Sequence, residues 1–221
     1  GIAEIIMSRP HARNSLGKVF VSEFFDTVDS LRHDSSVRVV VVKSSIPGIF
    51  CAGADLKERA QMDNAEVSLF VQQLRKLMSE IASSAKMGLI ETTRGLLPGA
   101  GGSQRLPRLL GIGLAKELIF TGRQIDGTEA QHIGLVNDAV PQNEEGDAAY
   151  LRALELAQEI LPQAPVAVRM AKLAMNRGIE VDIASGMAIE AMCYGQVIPT
   201  KDRLEGMSAF REKRQPHYTG K

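Results

Sequence analysis

The chain has 221 residues, and its 26 Lys+Arg balance its 26 Asp+Glu, so the formal net charge is zero. This balance excludes a global basic field that would gather nucleic acid or an anionic membrane. Apolar residues make up 44% of the chain and charged residues 24%, which is typical of a globular protein with a proper core. No apolar run approaches the length of a membrane span, and Cys51 and Cys193 form no metal or redox spacing. We therefore expect free thiols in a reducing compartment.

The first part of the chain predicts a β–α–β unit. The apolar run Ile2–Met7 indicates a strand that Arg9-Pro10 stops, and Asn14-Ser15-Leu16 is a helix-start signal. From Lys18 to Leu31, apolar side chains recur at helical spacing. The segment Val37–Val42 is β-branched and nearly continuous, which is the pattern of a strand covered on both faces in a parallel sheet.

The next segment contains the turn Gly53-Ala54-Asp55, which leads into a polar helix start. A buried strand that runs into such a turn is where α/β proteins place ligands, and a backbone N–H presented there can polarise a carbonyl group. An ordinary turn in which Asp55 caps a helix accounts for the same residues equally well. An amphipathic helix with an apolar face from Val67 to Ile81 is predicted next.

A glycine-rich stretch over residues 88–108 is the most informative part of the sequence. Glu91 lies in its apolar lead-in and is followed closely by four glycines. Glycines let the backbone approach another group closely, and Ser103 is predicted to be the N-cap of a helix that starts here. An acid beside exposed backbone N–H groups would form a catalytic pocket. A surface turn with a solvated Glu91 is the structural alternative.

Beyond Arg108 the pattern becomes mostly helical. A short strand is predicted over Leu135–Val140, and helices are predicted over Gly113–Phe120, from a cap within the stretch Gly122–Ala130 to before Gly134, and over Asp147–Leu161, Ala167–Arg177, Val181–Val197 and Lys201–Arg214. The segment Pro141–Gly146 is the best candidate for a boundary. We therefore divide the chain into an α/β core, residues 1–140, and a helical C-terminal region, residues 141–221.

Taken in order, these motifs resemble the enoyl-CoA hydratase/isomerase (crotonase) superfamily over essentially the whole chain. The blocks Gly53–Lys57 and Pro98–Leu106 are highly specific together. The other matching segments are Ser8–Pro10 with Asn14–Leu16, Met87–Glu91, Ala115–Gly122, Ala130–Val136 and Asp202–Lys213. The resemblance implies an α/β fold built as a crotonase-like spiral of ββα units, with a helical C-terminal trimerisation region.

The resemblance also implies the site residues. Ala54 matches the position whose backbone N–H is one of two oxyanion donors to the thioester carbonyl. Glu91 matches the second of two glutamates that handle water and the α-proton, and Gly99 matches the glycine whose N–H helps to hold that water. Positions implied to bind the coenzyme A part of the substrate are Ala52, Asp55, Leu56 and Lys57, together with Phe210 and Lys213 near the adenine and phosphates, often across a subunit boundary. No cofactor other than the coenzyme A thioester substrate is implied, and no metal.

One central strand–turn–helix block of the family has no counterpart between Ser83 and Ser84. That block carries the second oxyanion N–H and the first catalytic glutamate, and residues 81–87 run straight across it without a glycine triplet or a Gly-x-x-Glu pattern. A shortened isoform, an engineered deletion or residues left out of the sequence would explain this. Because a lost central strand leaves ladder groups unpaired, we expect omitted residues and a Ser83–Ser84 Cα separation above the usual ~3.8 Å.

The expected function is that of an acyl-CoA-binding, lyase-type enzyme of fatty-acid or branched-chain acyl-CoA metabolism, impaired in hydration if the block is missing. Hydration uses two carboxylates, whereas one glutamate can shuttle the proton of a double-bond isomerisation, so an isomerase using Glu91 alone is the alternative. A non-catalytic subunit is a second alternative. The resemblance implies a homotrimer or hexamer in the mitochondrial matrix. RNA binding, known in one family member, is not expected, because Lys18, Ser22 and Asp26 do not form a basic helix face.

Overall fold

The computed structural model describes residues 1–59, 61 and 86–221. Contacts divide the chain inside the helix Ala148–Ile160 into an N-terminal unit, Ile2–Leu154, and a C-terminal unit, Glu155–Lys221 with Gly1. The helix predicted over Val67–Ile81 and the separation between Ser83 and Ser84 lie outside the described residues. The boundary between residues 140 and 141 stays a prediction.

The predicted β–α–β unit is confirmed. Strand β1 (Ile2–Met7) and strand β2 (Val39–Ser44) pair in parallel, with Ile2 opposite Val39 and Met7 opposite Ser44. Helix α1 (Lys18–His33) connects them. Side chains from β1, α1 and the intervening loop form the first core, whose buried members are Ile5, Met7, Leu16, Val21 and Phe24.

The loop between β1 and α1 is held by the buried side chain of Asn14. Its Oδ1 accepts the backbone N–H of Arg9 at 2.7 Å, and its Nδ2 donates to Oγ of Ser44 at 2.9 Å and to the carbonyl of Phe50 at 3.0 Å. Asn14 has a positive φ of 54°, a conformation that asparagine tolerates better than most residues. One amide therefore fixes the ends of both strands and the start of the segment that follows β2.

Replacing Asn14 by alanine is expected to lower the free energy of unfolding by about 2–4 kcal/mol, because it leaves several buried polar partners unpaired. Urea unfolding followed by circular dichroism measures this. Asn143→Ala is the matched control, since the side chain of Asn143 bonds only with Asp147 in its own loop. A loss below about 1 kcal/mol for Asn14→Ala would show that the amide network contributes little.

The rest of the N-terminal unit is built from short helices around a second core. After α2 (Leu56–Arg59) come a 3₁₀ turn (Glu91–Arg94), α3 (Gly102–Leu110), α4 (Ile112–Thr121) and α5 (Gly127–His132). The structure places the cap of α5 at Asp126, within the predicted capping stretch Gly122–Ala130, since Oδ1 of Asp126 accepts the N–H of Glu129 at 2.9 Å. The second core contains Leu118, Ile125, Ala130 and Val136.

Two local predictions are wrong in this region. The N-cap of α3 is Gly101, with φ +93°, and not Ser103, because the Gly101 carbonyl already accepts the N–H of Arg105 at 2.8 Å. The segment Leu135–Val140 is not a strand. The N–H groups of Leu135 and Val136 turn back to the Ala130 carbonyl at the end of α5, and Val136 is buried in the second core.

The remaining four helices confirm the helical pattern of the C-terminal sequence. They are α6 (Ala148–Ile160), which the unit boundary crosses, α7 (Pro165–Gly178), α8 (Ile183–Val197) and α9 (Lys201–Glu212). In the C-terminal unit the tail folds back on α9, where buried Asp202 accepts the backbone N–H groups of Thr219 and Gly220 at 2.7 and 2.8 Å. Hydrogen bonds from Arg214 and from the N–H of His217 lower the pKa of Glu205 to about 2. No helix in the described ranges has the length and apolar character that a membrane crossing needs.

Candidate active site

The turn that contains Ala54 presents one unused backbone donor. Ala54 pairs with Leu16 in an isolated parallel bridge, in which the N–H of Leu16 donates to the Gly53 carbonyl at 2.8 Å and the N–H of Asp55 donates to the Leu16 carbonyl at 3.1 Å. In this pattern the neighbours of Ala54 face Leu16 and its own N–H points to the other side. That N–H donates to none of the described residues. It is therefore available to a ligand carbonyl.

The carboxylate of Asp55 holds this turn in place. Its Oδ1 accepts the N–H groups of Lys57 and Glu58 at 3.1 and 3.2 Å, so Asp55 caps α2. Its Oδ2 lies 3.0 Å from Nη1 of Arg9 and accepts the hydroxyl of Ser15 at 3.1 Å. Burial acts to raise the pKa of Asp55, but the Glu58 N–H, the Ser15 hydroxyl, the Lys57 N–H and the Arg9 charge together hold it below its usual value.

Glu58 and Arg9 extend the same ion-pair network. Oε1 of Glu58 lies 2.8 Å from Nη2 of Arg9, and its Oε2 accepts the N–H of Lys18, the first residue of α1, at 2.8 Å. The network therefore joins α1, α2 and the loop after β1. Sequence reasoning missed Arg9 and Glu58, because ion pairs between residues so far apart in the chain leave no local pattern.

The other residues implied by resemblance around Ala54 have simpler surroundings. Ala52 is exposed, and its N–H donates to the Arg13 carbonyl at 3.0 Å. Lys57 is exposed at the first turn of α2, and only the backbone of Leu56 is described. Burial raises the pKa of the neighbouring Cys51 thiol, which therefore remains protonated; Cys51 and Cys193 are both free, as expected.

Glu91 begins the 3₁₀ turn and has an unpartnered buried oxygen. Among the described residues, its Oε2 is the buried side-chain oxygen that lacks a hydrogen-bond partner. Burying an acceptor without a partner costs free energy, so such an atom calls for a functional explanation. The alternative of a solvated surface acid is therefore wrong for Oε2.

The backbone around Glu91 is fixed from both sides. Met87 exchanges two hydrogen bonds with Ile125, at 2.8 and 2.9 Å. The hydroxyl of Thr92 donates to the Ile119 carbonyl of α4 at 2.5 Å. Gly122 permits this approach, because a Cβ there would lie 2.4 Å from the methyl carbon of Thr93. Glu91 thus projects from a rigid segment and not from a free loop.

Gly99 lies in the turn that joins the Glu91 segment to α3. The preceding Pro98 is fully buried, and Ala100 packs against the first core, as do Phe50, Cys51 and Ala54. Gly102 fits closely at the start of α3, since a Cβ there would lie 2.8 Å from Cδ1 of Leu89. Ala100, at the end of this turn, and Ala54 therefore pack on the same core.

Phe210 and Lys213 belong to the C-terminal unit. Phe210 is 86% exposed on α9, and Lys213 ends that helix with φ +53°. Together with Leu204 and Met207, Phe210 forms an exposed apolar strip along α9. The structure thus leaves both residues accessible, in a unit separate from that of Ala54 and Glu91.

A cavity of about 390 Å³ lies elsewhere in the N-terminal unit, between the end of β2 and the start of α6. Its charged wall is already paired, because Nζ of Lys43 lies 2.7 Å from Oε2 of Glu4 and above the ring of Tyr150. Among the residues that the structure describes, no group of three or more His, Cys, Asp or Glu could hold a metal ion. The site with chemistry to offer is thus the pair of Ala54 N–H and Glu91 carboxylate, a hydrogen-bond donor and a buried acid–base group.

The chain is similar in sequence to proteins of known family. The sequence model of the family described as enoyl-CoA hydratase/isomerase matches residues 1–87 and 79–221. The human mitochondrial protein named enoyl-CoA hydratase domain-containing protein 2 is 62% identical, over all of this chain and 86% of its own length. Human mitochondrial methylglutaconyl-CoA hydratase is 49% identical, over all of this chain and 74% of its own length.

The fold is also similar to that of a solved enoyl-CoA hydratase structure. The crystal structure of an enoyl-CoA hydratase from Bacillus anthracis matches with a TM-score of 0.90 and 39% identity, covering all of this chain and 96% of that one. The crotonase-like α/β fold is thereby confirmed.

The alignments also locate the difference between this chain and its relatives. The alignment to the human 62% relative spans 252 positions, 31 more than the 221 residues of this chain. The family model matches in two parts that meet at residues 79–87, which include the Ser83–Ser84 junction. Both findings agree with the sequence observation that a block of the family pattern is missing there.

Proposed function

Because this chain belongs to the enoyl-CoA hydratase/isomerase family, we propose that it binds acyl-CoA thioesters and moves the α-proton with Glu91 while the Ala54 N–H polarises the thioester carbonyl. The observation that carries this proposal is the buried Oε2 of Glu91, which has no hydrogen-bond partner among the described residues. The Ala54 N–H, which donates to none of the described residues, supports it. In a member of this family, an unpartnered carboxylate can serve as the acid–base group, and an unused backbone N–H can donate to the thioester carbonyl.

The chemistry follows from these two groups. Removing a proton from C2 of a 3-enoyl thioester places negative charge on the thioester oxygen, where an N–H donor stabilises it. Glu91 takes that proton and returns one to C4, and the double bond moves from C3–C4 to C2–C3. One carboxylate completes the cycle, because it is the base in the first step and the acid in the second.

Hydration requires more than the described site contains. Addition of water across the double bond uses one carboxylate as the base for water and another to supply the proton at C2. By resemblance to the family, the second of these carboxylates belongs to the block that has no counterpart between Ser83 and Ser84. We therefore propose isomerisation as the principal reaction of this chain and hydration as a slow one.

The relatives at 62% identity are named mitochondrial proteins, so the location is mitochondrial. We propose a homotrimer or hexamer. The support for this is the apolar surface of the C-terminal unit, where Ile183 is 82% exposed and Phe210 is 86% exposed. Large exposed apolar side chains, such as these and the strip of Leu204, Met207 and Phe210 on α9, are typical of a surface that another chain covers.

The proposed thioester site is tested at the Ala54 amide itself. Gly53-Ala54 and Gly99-Ala100 are the two Gly-Ala pairs in the sequence, so labelling glycine with ¹³C at the carbonyl and alanine with ¹⁵N gives two assignable amide signals. Titration with a non-reactive saturated thioester, butyryl-CoA, is expected to shift the Ala54 proton downfield, because its free N–H gains an acceptor. Coenzyme A without the acyl group is the control and should leave the Ala54 proton near its starting position. An Ala54 signal that does not move at saturating butyryl-CoA would contradict the proposal.

A further inference from the structure

The turn between Gly99 and Gly101 is held by the side chain of Arg105. This residue lies in the matching block Pro98–Leu106, but neither the resemblance nor the proposed chemistry gives it a role. Nη2 of Arg105 donates to the carbonyl of Ala100 at 2.8 Å, so the Arg105 side chain lies along the first turn of α3 and contacts a residue that precedes that helix. The Arg105 backbone N–H donates to the Gly101 carbonyl at 2.8 Å. One residue therefore binds two successive carbonyls of the turn.

The contact is close enough to dictate the residue beside it. A Cβ on Gly101 would lie 2.7 Å from Nη1 and 3.0 Å from Cζ of Arg105, so the guanidinium lies directly against the Gly101 α-carbon. Gly101 also has a φ of +93°, which disfavours any L side chain. Arg105 and Gly101 thus fit as a pair.

A cation at this position is unfavourable in itself. The N-terminus of a helix carries partial positive charge and repels cations. Partial burial also lowers the pKa of Arg105, although the residue as a whole is exposed. The hydrogen bond to the Ala100 carbonyl gives this arginine a part in fixing the turn.

The turn is the structural link between the two halves of the site. On one side Ala100 packs on the core that carries Ala54, and on the other Gly102 packs against Leu89, two residues before Glu91. Any rotation of the Ala100 peptide therefore changes where Gly99 lies relative to both reacting groups.

We propose that Arg105 is a positioning residue, which locks the Ala100 carbonyl and thereby fixes the Gly99 backbone and the separation of Glu91 from the Ala54 N–H. This inference rests on the proposed function of the same site. It assigns Arg105 no contact with substrate. The consequence is that loss of Arg105 lowers the rate of the chemical step and leaves thioester binding largely intact.

The experiment compares Arg105→Ala with Arg108→Ala. Arg108 is a matched control, because it is on the same helix and its Nη1 donates to Gln104 in its own helix. Arg105→Ala is expected to lower kcat for isomerisation of 3-hexenoyl-CoA by about 10- to 100-fold with KM changed less than about threefold, the pattern of a misplaced catalytic group. Arg108→Ala is expected to stay within about twofold of the unmodified chain in both constants.

Two further readouts separate positioning from a loss of fold. Guanidinium ion at millimolar concentration is expected to restore at least about fivefold of the lost kcat in Arg105→Ala, and methylammonium is expected to restore less, because the planar ion fits against Gly101. The labelled Ala100 amide should shift in Arg105→Ala and return with guanidinium. Arg105→Lys, which keeps the charge and can donate to one carbonyl, should retain more activity than Arg105→Ala.

The outcomes distinguish this inference from the proposed function. A kcat for Arg105→Ala within twofold of the unmodified chain, or a loss that guanidinium does not restore in a folded variant, overturns the positioning role while Glu91→Gln remains inactive. If Glu91→Gln is as active as the unmodified chain, the proposed function itself fails. If Arg105→Ala does not fold, Arg105→Lys provides the test. A lower kcat with unchanged KM in Arg105→Lys would then support the positioning role, and an unchanged kcat would overturn it.

Discussion

Replacing Glu91 by glutamine is expected to lower kcat for isomerisation of 3-hexenoyl-CoA by about 10²- to 10⁴-fold, the usual contribution of a general acid–base group. The amide has nearly the same shape as the carboxylate but cannot take the proton from C2. Stopped-flow or steady-state absorbance follows the reaction, because the conjugated product absorbs more strongly than the substrate. KM should change little, because glutamine keeps nearly the shape of the glutamate side chain.

The stability of the same variant gives an independent check. Oε2 of Glu91 is buried without a partner, so replacing the carboxylate by a neutral amide should leave the free energy of unfolding unchanged or raise it by about 1 kcal/mol. Glu23→Gln is the control, because Glu23 is exposed on α1. An inactive Glu91→Gln that is also strongly destabilised would mean that Glu91 serves the fold, and an active one would remove it from the mechanism.

Restoring the missing block is expected to raise hydration of crotonyl-CoA by at least about 100-fold. The change inserts, between Ser83 and Ser84, the residues of the human 62% relative that have no counterpart here. By resemblance to the family, that block supplies a second glutamate and a second oxyanion N–H. A second acid–base group contributes about 10²- to 10⁴-fold and an oxyanion donor about 10²- to 10³-fold, so the combined gain should be large.

The control for the insertion keeps the backbone and removes the acid. The same insertion with the glutamate of its Gly-x-x-Glu pattern changed to glutamine should gain little hydration while folding equally well. If the unmodified chain already hydrates crotonyl-CoA as fast as the human relative, the block is dispensable and the two-carboxylate argument does not hold for this chain.

Strong local patterns predicted most of the secondary structure correctly. The strand Ile2–Met7 and the helix from Lys18 follow from continuous apolar or helical spacing, and the structure has both. The cap of α5 lies within the predicted stretch Gly122–Ala130, and the structure adds that Asp126 is the capping residue. Patterns of this kind depend on the spacing of apolar side chains along the chain, which the sequence shows directly.

The wrong predictions fall where a distant or unusual contact decides the geometry. Ser103 is a good capping residue by type, but the positive φ of Gly101 lets α3 begin at Gly102. The apolar run Leu135–Val140 has strand composition, yet its first two N–H groups close the end of α5 and Val136 is buried in the second core. Composition cannot show which backbone partner an N–H will find.

The sequence predicted only part of the candidate site. Glu91 and Ala54 were found through resemblance, and the structure adds two physical reasons for them, an unpartnered buried oxygen and an unused N–H. The supporting roles of Arg9, Asn14 and Arg105 were not predicted, although all three lie in segments that resemble the family. Each acts through specific side-chain contacts that a sequence pattern does not show.

The most direct test of this account is the rate at which the unmodified chain isomerises 3-hexenoyl-CoA, measured beside its rate of hydrating crotonyl-CoA in the same preparation. We predict measurable isomerisation that depends on Glu91, with hydration at least about 100-fold slower than isomerisation, because one carboxylate can complete the first reaction and not the second. Hydration that equals or exceeds isomerisation, or no isomerisation by a folded chain that binds butyryl-CoA, would contradict it.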